Sequence, residues 1–222
     1  MTLAVLIPYR PDTPQRERIQ ATTSRLWAHT GLQVVYADDG LTGPLFSFSR
    51  AVNRARREVD ADCLLVYNCD ALPLSIESLQ RIGDELAAGL PWTAIFDGQQ
   101  RFTEQQTERL LVGEKPEDVG PAVGSIAMGR EALIGIRADV FDGLRGYDER
   151  FVGWGWEDLA FHLVLRTVHP GGCDVPTEGL FQSLWHPEAP RHAWPANGQI
   201  WASYQPHTFN ADKLRGFYLD RP

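Results

Sequence analysis

The chain has 222 residues, of which 43% are hydrophobic and 23% charged, a composition typical of soluble globular proteins. Its 21 basic and 29 acidic side chains give a formal net charge of −8, which argues against a polyanionic main partner. No apolar run approaches the roughly 20 residues that span a bilayer, and the opening MTLAVLIPYR lacks the early basic region of a signal peptide. Three cysteines make no disulfide framework, so a cytoplasmic location is expected.

The first 100 residues alternate short apolar runs with segments that read as helices. Gly31 is expected to close the first helix, and Ser49 and Ser75 to cap the second and third. Continuous apolar strands separated by helices are typical of a mainly parallel sheet covered on both faces, so the sequence predicts a single α/β domain. The predicted strands are 3–7, 32–37, 63–67 and 92–96, and the predicted helices are 14–29, 49–58 and 75–88.

The second half of the chain is less regular. Residues 100–125 predict a helix plus loop, ALIGI at 132–136 a strand, and the segment after residue 156 a helix to about residue 169. GLFQSLW at 179–185 predicts a last strand. The remainder is rich in Pro, Trp, Tyr and His and is expected to wrap over the surface.

Polar side chains collect where the predicted strands end, and ligands of such sheets bind beyond those ends. Asn68 and Asp70 share one side of a strand end. They could hold a divalent cation or a ribose, or simply cap the following turn. Asp39 could likewise close a turn or accept the imide N–H of a uracil. The three polar strand ends are Tyr9-Arg10, Asp38-Asp39 and Asn68-Cys69-Asp70.

Two further candidates carry a histidine and an arginine. His186 ends the last predicted strand and could be structural, or it could join Asp70 on a metal with positions left open for diphosphate oxygens. An imidazole ligand suits manganese better than magnesium. Arg50 begins the helical segment of FSFSRAVNRARR and could bind phosphate with its planar guanidinium, or belong to a solvated basic face.

The stretch FVGWGWEDLAFHLVL, residues 151–165, places glycines and tryptophans before two adjacent carboxylates. Glu157 and Asp158 could have a structural role only, because carboxylates near a helix N-terminus interact favourably with the helix dipole. Glycines also permit unusual dihedrals, and indole faces stack on sugar rings. A movable loop that binds a carbohydrate hydroxyl and removes its proton therefore fits the same residues.

These motifs, taken in order, resemble the nucleotide-sugar glycosyltransferases of the GT-A fold, particularly the inverting β-1,4-galactosyltransferase-like and family 2 enzymes. VLIPYR is similar to the family's first-strand motif, and FSFSRAVN to its diphosphate segment. YNCDALP stands where the family carries D-x-D, and LRGYDERFVGWGWEDL resembles its acceptor loop. The resemblance spans nearly the whole chain. It implies a Rossmann-like GT-A fold, with a donor-binding half at about 1–100 and an acceptor-binding half, carrying the metal histidine, at about 125–222.

The resemblance also implies a role for each matched residue. Asp70 and His186 would bind Mn²⁺ or Mg²⁺, and Trp154 would cover donor and acceptor. Glu157 would bind a sugar hydroxyl, and Asp158 would be the catalytic base. The UDP-sugar would be held by Pro8, Tyr9, Arg10, Asp39, Arg50, Asn53 and Asn68.

Two residues depart from the family pattern. Asn68 replaces the first Asp of D-x-D, which removes a negative charge and weakens metal binding in the absence of nucleotide. Trp156 replaces the second glycine of the usual G-G-E-D, which stiffens the loop and reshapes the acceptor pocket.

The resemblance implies metal-dependent transfer of a hexose or N-acetylhexosamine from a UDP-sugar to an acceptor hydroxyl, with inversion. A retaining transferase of the polypeptide N-acetylgalactosaminyltransferase type and a degenerate carbohydrate-binding protein remain alternatives. A sugar-nucleotide pyrophosphorylase is disfavoured because IPYRPDTP has no G-x-G-T-R loop. The acceptor is open between a glycan, a lipid-linked sugar, a protein, a small metabolite and modified viral DNA. The arginine-rich segment 50–57 favours viral DNA, and the net charge weighs against it.

Overall fold

The computed structural model of the chain describes residues 2–129, 133–174, 178–188 and 191–222. These residues form a five-stranded sheet, a smaller three-stranded sheet and the helices that cover them. The strands are β1 Leu3–Pro8, β2 Gln33–Ala37, β3 Cys63–Val66, β4 Trp92–Ala94, β5 Phe96–Arg101, β6 Ile126–Met128, β7 Ile134–Arg137 and β8 Glu178–Ser183.

The helices of the first half begin at capping residues that can be recognised in the sequence. Thr13 caps the first helix, with a proline at its first position. A 3₁₀ turn, Ala28–Thr30, follows the helix, and Gly31 ends this turn in the left-handed conformation. Ser75 caps the third helix, as expected. The helices are α1 Pro14–Trp27, α2 Phe48–Arg56, α3 Ile76–Ala87, α4 Glu104–Leu111, α5 Pro116–Val119, α6 Ala138–Gly143, α7 Glu157–Val168, α8 Trp194–Tyr204 and α9 Ala211–Leu219.

The larger sheet has the strand order β2-β1-β3-β7-β4. β1 pairs in parallel with both β2 and β3, whereas β7 runs antiparallel to β3 and to β4. Four of the five strands therefore point the same way, which confirms the mainly parallel α/β architecture. Their carboxyl ends share one edge, so the polar strand ends of the sequence are gathered there.

The two faces of the larger sheet are buried against different helices. Along β1, Ala4 and Leu6 pack into one apolar cluster and Val5 and Ile7 into another, because successive side chains of a strand point to opposite faces. The first cluster includes residues of α2, α7 and α9, and the second residues of α1 and α3. A strand buried on both faces explains why the run LAVLI is continuously apolar rather than alternating.

The smaller sheet, in the order β6-β5-β8, carries the end of β8 to the end of β3. The Leu184 N–H donates to the Asp70 carbonyl at 2.8 Å, and the Leu72 N–H donates to the Gln182 carbonyl at 2.9 Å. These backbone bonds join chain segments more than 100 residues apart. They bring the segment after β8 next to the segment after β3.

Two predictions about the elements are wrong in detail, and a third lies partly outside the described residues. Ser47, rather than Ser49, caps α2, because the Ser47 side chain accepts from the Arg50 N–H while Ser49 is already the second residue of the helix. The predicted strand 92–96 is two strands, since the chain leaves the larger sheet after Ala94 and enters the smaller one at Phe96. The predicted strand 132–136 is β7, although its first residue lies outside the described residues.

The segment after residue 186 does not simply wrap over the surface. It contains α8 and α9, and Tyr204, Leu214 and Tyr218 are fully buried in the cluster that packs on α2 and α7. Its aromatic content therefore belongs largely to the core. Within the described part of the chain, no helix combines the length and apolarity needed to cross a membrane.

Candidate functional site

The carboxyl-terminal edge of the larger sheet opens onto a cavity of about 570 Å³. Residues from both halves of the chain line it, because β8 and the loop before α7 are brought to this edge. Its volume falls in the range of small-molecule and cofactor sites. The predicted site residues on its wall are Pro8, Tyr9, Asn68, Asp70, Trp154 and His186.

Asp70 and His186 face each other in this cavity, with 3.4 Å between Asp70 Oδ2 and His186 Nε2. Both side chains are mostly buried, at 16% and 21% exposure. The hydrogen bond to Asp70 raises the pKa of His186, while burial opposes that rise. The sequence prediction that these two residues meet is consistent with this geometry.

The pair offers the donor set of a divalent cation that is shared with a ligand. His186 Nδ1 lies 2.8 Å from the Pro187 carbonyl, which can only accept, so Nδ1 carries a proton. Nε2 donates to Asp70 in the protonated imidazole, and loss of that proton would leave its lone pair for a cation between the two side chains. Asn68 adds an amide oxygen to the same wall. Among the described residues no group of three or more His, Cys, Asp or Glu side chains could hold a metal. Two protein ligands therefore fit a cation only when the ligand, such as a diphosphate, supplies further oxygens.

Arg10 and Asp39 form a buried ion pair that organises residues 40–46. Arg10 donates to Asp39 and to the carbonyl oxygens of Leu41, Gly43 and Leu45, at 2.9 to 3.3 Å for the carbonyls. Asp39 is fully buried and also accepts from the Ser47 N–H at 2.7 Å and from the Leu41 N–H at 3.2 Å. Both oxygens of Asp39 are engaged within the protein. In this structure the pair holds a loop, and its predicted contact with the nucleotide stays a prediction.

Asp39 keeps its charge despite its burial. Desolvation alone would raise its pKa, but the bonds from the Ser47 N–H, from Arg10 and from the Leu41 N–H together hold the pKa below its ordinary value. A carboxylate that is ionised at neutral pH therefore anchors the start of α2.

Arg50 and Asn53 lie on α2, away from the wall of the cavity. The Arg50 Nε donates to the Asp39 carbonyl at 3.3 Å, and its Nη1 lies 3.6 Å from a Glu149 oxygen. Asn53 donates to the Tyr147 carbonyl and accepts from the Tyr147 N–H, both at 2.9 Å. Asn53 thus ties α2 to the loop before α7. The structure brings neither residue to the cavity, and their donor-binding roles stay untested predictions.

The loop Phe151–Trp156 is packed rather than open. The Gly153 N–H donates to the Phe46 carbonyl at 2.9 Å, and Asn197 donates to the Gly155 carbonyl at 3.1 Å. Both glycines have positive φ, and a Cβ on either would come within 2.6 Å of a side-chain atom of Ala193 or Trp194. The glycines are therefore required for this backbone and for close packing against α8, a role that the sequence does not distinguish from loop movement.

The two tryptophans of this loop differ in position. Trp154 is 41% exposed, lines the cavity, lies 4.6 Å below the Arg191 guanidinium and stacks on Trp194 at 5.1 Å. Trp156 packs inward between Trp194, at 4.7 Å, and Trp201, at 6.0 Å. Of these two tryptophans, only Trp154 borders a cavity.

Trp156 adopts a left-handed backbone, with φ of 78°, at the position before α7. We expect Trp156→Gly to be about 1 kcal/mol more stable than Trp156→Ala, because both lose the same indole contacts and only glycine relieves the backbone. Both variants should be less stable than the parent. Urea unfolding of the three proteins measures the differences, and an alanine variant as stable as the glycine variant would contradict the strain.

Glu157 and Asp158 begin α7 and face different surroundings. Glu157 is 8% exposed, and its Oε2 has no hydrogen-bond partner among the described residues. Burial raises the pKa of Glu157 to about 7, although N–H groups of the backbone oppose the shift. Asp158 is half-buried. The pKa of the interior Tyr147 is raised mainly by the burial of Tyr147 itself, and the negative charge of Asp158 is the next largest cause. Glu157 borders a second cavity, which also touches Trp154 and His186, whereas Asp158 borders neither cavity.

The sequence reasoning missed three arginines of the larger cavity: Arg16, Arg101 and Arg191. The Nε of Arg101 is buried and has no hydrogen-bond partner within the described ranges, which suits a bound phosphate. The position of Arg16 near the start of α1 could have been found, since α1 follows the first polar strand end. Arg101 could not be identified from the sequence, because the predicted strand 92–96 ends before it.

No protein-family model and no curated protein matches this sequence. Solved structures do match. Glucosyl-3-phosphoglycerate synthase from Mycobacterium tuberculosis, solved with Mn²⁺, UDP and phosphoglyceric acid, matches with a TM-score of 0.52 and 12% identity over 94% of this chain and 78% of that one. Its complex with Mn²⁺, UDP-glucose and phosphoglyceric acid gives 0.51 and 13% over 94% and 79%.

A mutant of Drosophila β-1,4-galactosyltransferase 7, solved with manganese, UDP-Gal and xylobiose, matches with a TM-score of 0.49 and 16% identity. The match covers 80% of this chain and 65% of that one. Identities this low establish a shared fold alone. The α/β fold of this chain is the GT-A fold of the nucleotide-sugar glycosyltransferases that its motifs resemble.

Proposed function

We propose that this protein is a metal-dependent glycosyltransferase that moves a hexose or N-acetylhexosamine from a UDP-sugar to an acceptor hydroxyl, with inversion. The observation that carries the proposal is the Asp70–His186 pair, 3.4 Å apart, in a cavity that Trp154 also lines. The GT-A fold supports the proposal, since a synthase of this fold was solved with Mn²⁺ and UDP. The larger cavity is the proposed donor site.

Asp70 and His186, beside the Asn68 amide, would hold the cation, and donor diphosphate oxygens would complete its shell. When bound, Mn²⁺ or Mg²⁺ would supply positive charge that stabilises the departing diphosphate. Arg16 and Arg101 line the same cavity and add guanidinium groups for phosphate oxygens. The nucleotide would be bound, directly or through the residues that contact it, by Pro8, Tyr9, Arg10, Asp39, Arg50 and Asn53.

The proposed transfer is a single displacement. The acceptor oxygen forms a bond to the anomeric carbon while the bond from that carbon to the diphosphate oxygen breaks, and UDP leaves with the electron pair. Asp158 takes the proton of the hydroxyl, and Glu157 accepts a hydrogen bond from the acceptor. Trp154 borders both cavities and would pack against the sugars on either side. With one base and no enzyme nucleophile, the anomeric configuration inverts, and the anomer of the product distinguishes this from a retaining enzyme.

The direct test is thermal unfolding with UDP-, GDP- and dTDP-sugars, with and without Mn²⁺. A nucleotide at about 100 times its dissociation constant should add roughly 2.7 kcal/mol to the free energy of unfolding. We expect a Mn²⁺-dependent rise with a UDP-sugar, lost in Asp70→Ala and kept in Asp60→Ala, an exposed control. If no nucleotide stabilises the protein, the proposed function is wrong and a carbohydrate-binding role without turnover takes its place.

A further inference from the structure

Arg101 stands on the wall of the larger cavity with its charge uncompensated. It belongs to β5, in the smaller sheet, and lines the cavity together with Gln99 of the same strand. Its buried Nε has no hydrogen-bond partner, and its guanidinium forms no ion pair, among the described residues. An arginine whose polar atoms are buried without partners lowers stability unless a ligand supplies them. The side chain is therefore a candidate contact for an anionic group of a ligand.

The other arginines on this wall already have acidic partners. The Nε of Arg16 lies 3.4 Å from an Asp12 oxygen, and an Nη of Arg191 lies 3.2 Å from a Glu188 oxygen. Within the described ranges, no carboxylate plays this part for Arg101. Its positive charge is therefore the one most available to a bound anion.

The order of the strands at this edge fixes the position of Arg101. β1 pairs with β3, the segment after β3 bridges to β8 at Ala71 and Ser183, and β8 pairs with β5, where Arg101 lies opposite Ser183. Two strand spacings, roughly 10 Å, therefore separate the backbone of Arg101 from that of Ala71. In this order the Asp70–His186 pair lies between the end of β1 and Arg101.

A nucleotide bound along this order would present its outer phosphate to Arg101. The end of β1 carries Pro8 and Tyr9, the proposed contacts of the nucleoside, and the proposed cation site comes next. The phosphate farther from the nucleoside then lies toward β5. That phosphate is joined to the sugar, and it keeps the electron pair when the bond from its oxygen to the anomeric carbon breaks. Above pH 7, UDP therefore carries about one more negative charge on this phosphate than the UDP-sugar does.

We propose that Arg101 binds the donor phosphate that lies farther from the nucleoside, and that it stabilises the charge gained by this phosphate as the sugar leaves. The proposal deepens the proposed function and rests on it, because it assigns a residue to the departing group of that reaction. A guanidinium that is already in place interacts more strongly with the additional charge of UDP than with the UDP-sugar. Arg101 therefore favours the product and the transition state over the donor, and does not simply add to the binding of both.

The test measures the affinities of UMP, UDP and UDP-glucose by titration calorimetry at pH 8 with Mn²⁺, for the parent protein and for Arg101→Gln. UMP lacks the outer phosphate, and UDP-glucose carries less charge on it. We expect Arg101→Gln to weaken the binding of UDP about tenfold, that of UDP-glucose about threefold and that of UMP less than about twofold. Equal weakening of all three, or no change in any, would overturn the proposal.

Two control variants separate this role from a structural one. Arg101→Lys keeps the charge and loses the planar fork, so it should restore most of the lost UDP affinity. Arg57→Gln removes an exposed arginine just after α2 that borders neither cavity, and it should alter none of the affinities.

Thermal unfolding without nucleotide gives a second readout. Because the Arg101 guanidinium has no described partner to lose, Arg101→Gln should not lower the unfolding temperature. A lower unfolding temperature together with equal weakening of the three nucleotides would give Arg101 a structural role and overturn the proposal.

The same titrations separate this inference from the proposed function. If the parent binds UDP-glucose with Mn²⁺ and Arg101→Gln changes nothing, the proposed function stands and this inference is wrong. If UDP binding depends on Arg101 as expected but no UDP is released from any UDP-sugar, Arg101 remains a phosphate-binding residue and the transferase function is wrong. If the parent binds none of the three nucleotides, both are wrong.

Discussion

Replacing Glu157 by Gln is expected to raise the free energy of unfolding at pH 8 by up to about 3 kcal/mol. Glu157 is 8% exposed, and burial raises its pKa from its ordinary value near 4.5 to about 7. Ionising it inside the folded protein is therefore less favourable than ionising it in the unfolded chain. The amide of Gln keeps the size of the side chain and removes the charge.

The sign of the pH dependence follows from proton binding. Between about pH 4.5 and pH 7 the folded state holds the Glu157 proton more tightly than the unfolded state, so stability from this group falls as pH rises. The advantage of Glu157→Gln should be absent at pH 4.5 and complete above pH 7. Urea unfolding at pH 4.5, 6 and 8 measures it. Glu188→Gln, which alters an exposed carboxylate, is the control and should show no such trend.

A variant that is not stabilised at pH 8 would mean that water or a neighbouring group relieves the buried charge. If stabilisation is found, the natural carboxylate lowers stability at neutral pH. An ionisable group that lowers stability at the wall of a cavity is typical of a functional residue, because such a residue is kept for its activity and not for its contribution to folding. That result would support a ligand-binding role for Glu157 without an activity assay.

Much of the fold follows from local pattern. The runs LAVLI and CLLVY are apolar throughout because each strand is buried on both faces, and Thr13 with Pro14 and Ser75 start their helices by capping that can be read from the sequence. The parallel order of these strands then brings Pro8 and Asp70 to one edge. This part of the candidate site could be predicted, because it depends only on strand direction.

The rest depends on contacts between distant segments. Nothing near Arg10 or Asp39 in the sequence indicates that the two side chains would form an ion pair and hold residues 40–46. The ion pair forms only when the loop is folded. Arg101 reaches the cavity only because the chain leaves the larger sheet after β4 and joins the smaller sheet as β5. The burial of Tyr204 and Tyr218 likewise arises from packing of α8 and α9 on α7, which composition cannot reveal.

Replacing Asp158 by Asn is expected to lower turnover by about 10²- to 10⁴-fold, the usual contribution of a positioned general base. The amide cannot take the acceptor proton, while the groups that would bind the donor are unchanged. The Mn²⁺-dependent stabilisation by a UDP-sugar should therefore persist. Release of UDP from UDP-glucose and UDP-galactose, with Mn²⁺ and 4-nitrophenyl β-D-glucoside, measures the turnover.

Comparison with Glu157→Gln decides which carboxylate is the base. Asp158 is half-buried and borders neither cavity, so its role as base requires α7 or the loop before it to shift when substrates bind. Glu157 borders the second cavity already and has a pKa suited to proton transfer near neutral pH. If Asp158→Asn keeps its turnover while Glu157→Gln loses it, the base is Glu157. If Asp158→Asn alone abolishes turnover, the packed loop must move during the reaction, because the structure holds Asp158 away from the cavities.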